Sequence, residues 1–168
     1  MAESTSPNPS HQRPAAVRPH VLVVTNDQDL RDFLQEGLLL GGCWVSVIAS
    51  GVQTLEVFRL RSFDLVVIDA ALTGMSAIEL IRRLRREPRD ERTGEPRTDV
   101  PLLLIAESPV VEAKAVSAGV TAVIVPPIDL EALLSLVHDT IHHWRLRHPD
   151  RLWADQMAQI SNREGQDR

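Results

Sequence analysis

The stretch FDLVVIDAALTGMSAIEL, residues 63–80, decides the fold. Its Leu65-Val66-Val67-Ile68 core is a continuous, β-branched-rich run with no polar alternation, so the strand it predicts is covered by protein on both faces. The run ends in a carboxylate, Asp69, and then breaks at Gly74 and Ser76, a turn and helix start. Ile78, Ile81 and Leu84 follow at helical spacing until Pro88 stops the helix. A buried strand emptying into a loop, with an amphipathic helix behind it, is the repeating unit of a parallel sheet wrapped by helices.

The same unit recurs on both sides. Upstream, VLVV at 21–24 empties into the polar stretch Thr25-Asn26-Asp27-Gln28-Asp29. Asp29 is the expected cap of a helix carrying Leu30, Phe33, Leu34 and Leu38 and ended by Gly41-Gly42. Residues 44–48 form the next strand, and Leu55 with Phe58 mark a short helix. Downstream of a long loop to Pro101, LLLI at 102–105, a small-residue helix closed by Gly119, and AVIV at 122–125 complete five strands. Asp129 opens a long last helix with Leu130, Leu133, Leu134, Val137, Ile141 and Trp144 on its apolar stripe. Leu152, Trp153, Met157 and Ile160 predict a further short helix after Pro149. The expectation is a doubly wound (βα)5 parallel sheet over residues 20–147, a leader over 1–19, and a helical appendage with a polar tail over 148–168. Ligand sites in such sheets lie at the carboxyl ends of the strands, where Thr25, Asn26, Asp69 and Ala106 fall.

Composition narrows the function classes. A chain of 168 residues with 43% hydrophobic content holds one ordinary domain and not two. Eighteen basic residues against 23 acidic ones give a formal charge of -5, which removes the overall basic character of a general nucleic-acid binder. A single cysteine, Cys43, excludes an intrachain disulfide framework. The Pro- and Ser-rich first twenty residues lack the apolar core of a signal peptide. The longest apolar runs fall far short of the roughly 20 residues of a membrane-spanning helix. The expected location is therefore the cytoplasm, away from membranes.

With these blocks assembled, residues 20–140 resemble the receiver domain of response regulators, a flavodoxin-like fold used in two-component signalling. HVLVVTNDQDLRDFL resembles the family's opening strand and loop, and FDLVVIDAALTGMSAIEL the phosphoacceptor strand, with Asp69 at the phosphoacceptor position. PLLLIAE is similar to the fourth strand, and GVTAVIVPPIDLEALL to the fifth. The resemblance also marks departures. Thr25 and Asn26 stand where the family has an acidic pair that helps hold Mg²⁺, Ala106 where it has a switch hydroxyl, and Pro126 where it has a lysine. Val123 stands where it has a switch aromatic, and Thr73 where a proline is usual.

Phosphoryl transfer to a carboxylate needs a nucleophile, a cation across the transferring oxygens and donors for the developing charge. Asp69 supplies the first, while a Thr and an Asn in place of carboxylates leave a weak site for Mg²⁺, with Asp27 one residue along as a conceivable substitute. The expectation is an atypical, pseudo-receiver module that is not an enzyme, carries no cofactor and acts through a protein partner independently of phosphorylation. Two rivals stay open: residual phosphorylation at Asp69, and nucleic-acid contact through residues 82–97, which hold seven arginines against four acids. Nucleic acid is the less favoured partner, since no recognition helix or aromatic interleaving accompanies the arginines. His138, His142, His143 and His148 do not make a metal site on spacing alone, so no metal is assigned. Val123, Ile141, Trp144, Trp153 and Met157 offer either an interaction surface, including one for a second copy of the chain, or packing of the terminal helix back onto the domain.

Overall fold

The computed structural model describes residues 17–86 and 99–166. Most of the leader, and the part of the arginine-rich segment from 87 to 98, lie outside the described residues. Five strands, β1 (His20–Val24), β2 (Trp44–Ile48), β3 (Leu65–Asp69), β4 (Leu102–Ile105) and β5 (Ala122–Ile124), form one parallel sheet in the order β2-β1-β3-β4-β5. Helices α1 (Gln28–Leu40), α2 (Gly51–Leu60), α3 (Ala77–Arg86), α4 (Pro109–Ala118) and α5 (Leu130–Arg147) connect or follow them, and α6 (Ala154–Gln166) comes last. This is the doubly wound parallel fold with extra C-terminal helices expected from the strand and helix pattern.

Alternation along the central strands divides the core in two. Leu22, Val24, Val66, Ile68, Leu102 and Leu104 face α2, α3 and α4, where Phe58, Leu80, Ile81, Leu84 and Ala115 meet them. Val21, Val23, Leu65, Val67, Leu103 and Ile105 face the opposite layer, packed by Leu34 and Leu38 of α1 and by Leu133, Val137 and Ile141 of α5. Leu22, Leu65, Ile68 and Leu102–Leu104 are fully buried on both faces of the sheet, which is why β1, β3 and β4 read as unbroken apolar runs. The edge strands β2 and β5 are only partly buried and are correspondingly less uniform in sequence. Cys43 is wholly buried at the entry to β2, and burial pushes its thiol up to about 11.

Two side chains fasten separate elements together at the amino end of the sheet. Arg85, at the end of α3, donates from Nε to the Gly119 carbonyl (2.9 Å) and from Nη1 to the Val100 carbonyl (2.7 Å), fastening α3 to the end of α4 and the approach to β4. Gly119 can present that carbonyl because it ends α4 at φ 104°, a left-handed conformation that costs glycine little. Asp64, just ahead of β3, accepts from the backbone N–H of His20 (2.7 Å) and from that of Ala154 (3.1 Å), the first residue of α6. It therefore caps α6 from a distant part of the chain, satisfying a donor that no upstream turn of that helix can reach. Burial pushes the Asp64 carboxyl up to about 6, against the opposing pull of those two N–H groups and of Arg145.

One local expectation needs correction. The cap of α1 is Asp27, whose carboxylate accepts from Leu30 N at 2.7 Å, and Asp29 lies within the first turn. The helix starts earlier because Asp27 has the extended backbone of a capping residue, while the charge of Asp29 is favourable anywhere in that turn.

Candidate functional site

Strand register brings the candidate residues together. Val24 pairs with Ile68 and Asp69 pairs with Ile105, so the residue after β1, Thr25, lies beside the carboxylate that ends β3. Sheet order reverses between β1 and β3, and the crevice of a doubly wound sheet opens at such a point.

Asp69 is 7% exposed and Thr25 1%. The Thr25 hydroxyl donates to Asp69 Oδ2 at 2.8 Å, and its oxygen accepts from Asp27 N at 3.1 Å. The other carboxylate oxygen, Oδ1, accepts from Ala71 N at 2.9 Å, which folds the loop after β3 back over the strand end. Both donors to Asp69 are neutral, and among the described residues no Lys, Arg or His forms an ion pair with it. Asn26 points elsewhere, its side-chain amide donating to Thr73 Oγ1 at 3.2 Å.

Asp69 opens onto a cleft of about 690 Å³. Asp27, Ala106 and Pro126 also line it, so four of the residues singled out from the sequence share one cavity, with Thr25 behind Asp69 and Asn26 turned toward Thr73. Sequence reasoning missed the walls: Leu30 and Phe33 from α1, Val111 from α4 and Ile128 beyond β5. Leu30 and Phe33 belong to the helical stripe read as core, and only the three-dimensional position of α1 turns part of that stripe toward the cleft.

The residues considered for an interaction surface are placed largely within the fold. Ile141 is 4% exposed in the core, and Val123 packs against the opposite layer. Trp144 donates from Nε1 to the Asp99 carbonyl at 2.9 Å and stacks on His148. Trp153 packs against the α1/α5 layer with the Arg145 guanidinium 4.2 Å from its ring centroid. Ile141, Trp144 and Trp153 thus make contacts within the chain, and Met157 is partly buried on α6. The histidines do not converge on one point: His138 contacts the Gly41 carbonyl, His143 the Asp139 carbonyl and, edge to face, the His142 ring, and His148 both Trp144 O and Asp99. Among the described residues no three His, Cys, Asp or Glu side chains stand as a group able to hold a metal ion. Nor is any helix among them long and apolar enough to cross a membrane.

Comparison with known proteins agrees with this architecture. The chain is similar over 84% of its length to the Regulator of RpoS of Escherichia coli (28% identity, 42% of that protein), and over 70% to the response regulator protein FleR of Pseudomonas aeruginosa (34% identity, 23% of that protein). It spans about half or less of the length of the curated relatives it matches. Among solved structures, the signal receiver domain of an HD domain-containing protein from Pseudomonas fluorescens superposes with a TM-score of 0.69 over 83% of this chain and 99% of that one, at 22% identity. The receiver domain of a sensor histidine kinase of Pseudomonas aeruginosa, with a magnesium ion coordinated in its active-site cleft, superposes with a TM-score of 0.66 over 75% of this chain and 99% of that one, at 16% identity. The model of the response regulator receiver domain matches residues 21–138. From its fold, the position of its cleft and this match, the chain belongs to the response regulator receiver domain family and is a module of signal transduction.

Proposed function

We propose that this receiver works as an atypical one, signalling through protein contacts with Asp69 unphosphorylated. The observation that carries the reading is the Thr25 hydroxyl seated on Asp69 Oδ2 at 2.8 Å, in a cleft whose described lining includes no basic side chain. Phosphoryl transfer to Asp69 would concentrate negative charge where three carboxylates, Asp27, Asp69 and Glu107, already line the space.

The oxygen atoms around the site do not suit Mg²⁺. This ion asks for near-octahedral oxygen ligands, usually with one or two carboxylates among them. Thr25 Oγ1 is occupied by Asp27 N and directs its proton at Asp69, Asp27 Oδ1 holds the Leu30 N–H of the α1 cap, and Asn26, whose amide nitrogen donates to Thr73, brings a neutral amide in place of a carboxylate. Of the carboxylates lining the cleft, Asp69 and Glu107 are free of a capping duty, and Glu107 lies at the exposed rim.

Arginine-mediated binding of nucleic acid has less support. Of the arginines in α3, Arg83 pairs with Glu79 at 2.8 Å and Arg85 is spent on the Gly119 and Val100 carbonyls. A protein partner, a second copy of the chain included, suits the module better. Incubation with Mg²⁺ and acetyl phosphate, read by intact mass, is expected to leave the chain unmodified while co-purification recovers a protein partner. A stable phosphoryl adduct on Asp69 overturns the proposal.

A further inference from the structure

We propose that the cleft above Asp69 binds a small organic cation, an amine carried on an apolar body. The inference rests on the reading of Asp69 as unphosphorylated and names what the same cavity would take instead.

Charge supplies the first argument. Asp69 is more than nine-tenths buried, yet its two donors, the Thr25 hydroxyl and the Ala71 N–H, are neutral and fill only part of the accepting capacity of a carboxylate. A buried charge is stable when paired, and no cationic side chain among the described residues lines this cleft. Asp27 and Glu107 at the exposed rim add to the same potential, which favours entry of a positive ligand.

The walls choose among cations. Leu30, Phe33, Ile105, Val111, Pro126 and Ile128 surround the carboxylate with hydrocarbon, which gains nothing from a strongly hydrated metal ion and does gain from burying an alkyl or aromatic body. Phe33, 38% exposed at the mouth, also presents a ring on which the apolar body of such a ligand can pack. A volume of about 690 Å³ lies within the usual range of cavities that enclose small organic molecules. The ligand so defined donates N–H bonds to Asp69 at the floor and covers the apolar walls with its body.

The test titrates the full chain with phenethylamine, and with phenethyl alcohol as the uncharged molecule of similar shape, following the backbone amides of Ala70, Ala71 and Ala106 by NMR. Saturable shifts confined to these amides are expected with the amine, with affinity lower by about tenfold or more for the alcohol and for the Asp69→Asn variant. Phe33→Ala, altered at the mouth and away from the buried carboxylate, should weaken the amine severalfold and serves should Asp69→Asn fail to fold. No saturable shift, equal binding of the alcohol, or full affinity in either folded variant overturns the inference. Intact mass after acetyl phosphate and Mg²⁺ treatment of the same preparation separates the two levels: an adduct on Asp69 overturns the underlying reading, whereas absence of both adduct and amine binding overturns this inference alone.

Discussion

Strand β3 starts beside one buried aspartate and ends on another, and the two are handled in opposite ways. Asp64 is 6% exposed and Asp69 7%, so the burial of the residues is nearly equal. At the amino end, Asp64 is closed in by backbone N–H groups from β1 and from α6, and the Arg145 charge lies near enough to favour its ionised form. At the carboxyl end, Asp69 receives a hydroxyl and one loop N–H and faces a cleft. Burial alone therefore does not distinguish a structural carboxylate from one placed to meet a ligand. The surroundings do: each carboxylate takes one donor on each oxygen, but Asp64 is enclosed between backbone of β1 and α6, whereas Asp69 stands at the edge of an open cleft.

This contrast can be broken experimentally, most forcefully at Asp64. Asp64→Ala leaves the His20 and Ala154 N–H groups without their acceptor and is expected to cost about 2–4 kcal/mol in urea unfolding at about pH 4. A loss well below 1 kcal/mol, on the scale of a solvated surface group, would show that water replaces the carboxylate and that the site is not closed.

Acidity sharpens the same point. With its folded-state value raised to about 6 from an ordinary 3.8, Asp64 takes up its proton more readily in the native chain than in the unfolded one. Its contribution to stability is thus fully present below about pH 4 and is lost as pH rises through about 6, a change on the order of 2–3 kcal/mol. Unfolding measured from about pH 4 to 7 should show that slope in the difference between wild type and Asp64→Asn, since the partly buried His20, held below its ordinary value by burial, contributes to both.

At the other end of the strand the expected effects are smaller. Thr25→Val removes the hydroxyl from Asp69 and from Asp27 N at nearly constant volume and should destabilise by about 1–2 kcal/mol. A double-mutant cycle with Asp69→Ala should return a coupling of at least about 0.5 kcal/mol, and additive effects would mean that the bond contributes nothing. Smallest is the α1 cap: Asp27→Ala should cost about 1 kcal/mol and Asp29→Ala clearly less, since only Asp27 accepts from Leu30 N.

The order of strands and helices was legible because β1, β3 and β4 are buried on both faces, and nothing but an unbroken apolar run serves there. Asp69 was legible for a related reason: it is the charged residue at which such a run stops. Asp64 sits at the other end of the same run and carried no comparable signal, because its partner Ala154 is 90 positions away and contributes only a backbone N–H, which every residue but proline possesses. Arg85 was hidden by its neighbours. In a segment crowded with arginines it looks like surface charge, yet its guanidinium reaches two carbonyls on separate elements. The cap of α1 misled by proximity, since Asp27 and Asp29 are chemically identical and only backbone geometry separates them.

The capping of α6 by Asp64 also links the fate of two distant segments. One oxygen of the carboxylate holds the head of β1 and the other the first residue of α6, so the strand and the helix share one acceptor group. Water can solvate that carboxylate only where α6 is displaced, so dehydration of Asp64 and docking of α6 are a single event. A lone aspartate thus reports whether the amino end of the sheet is closed.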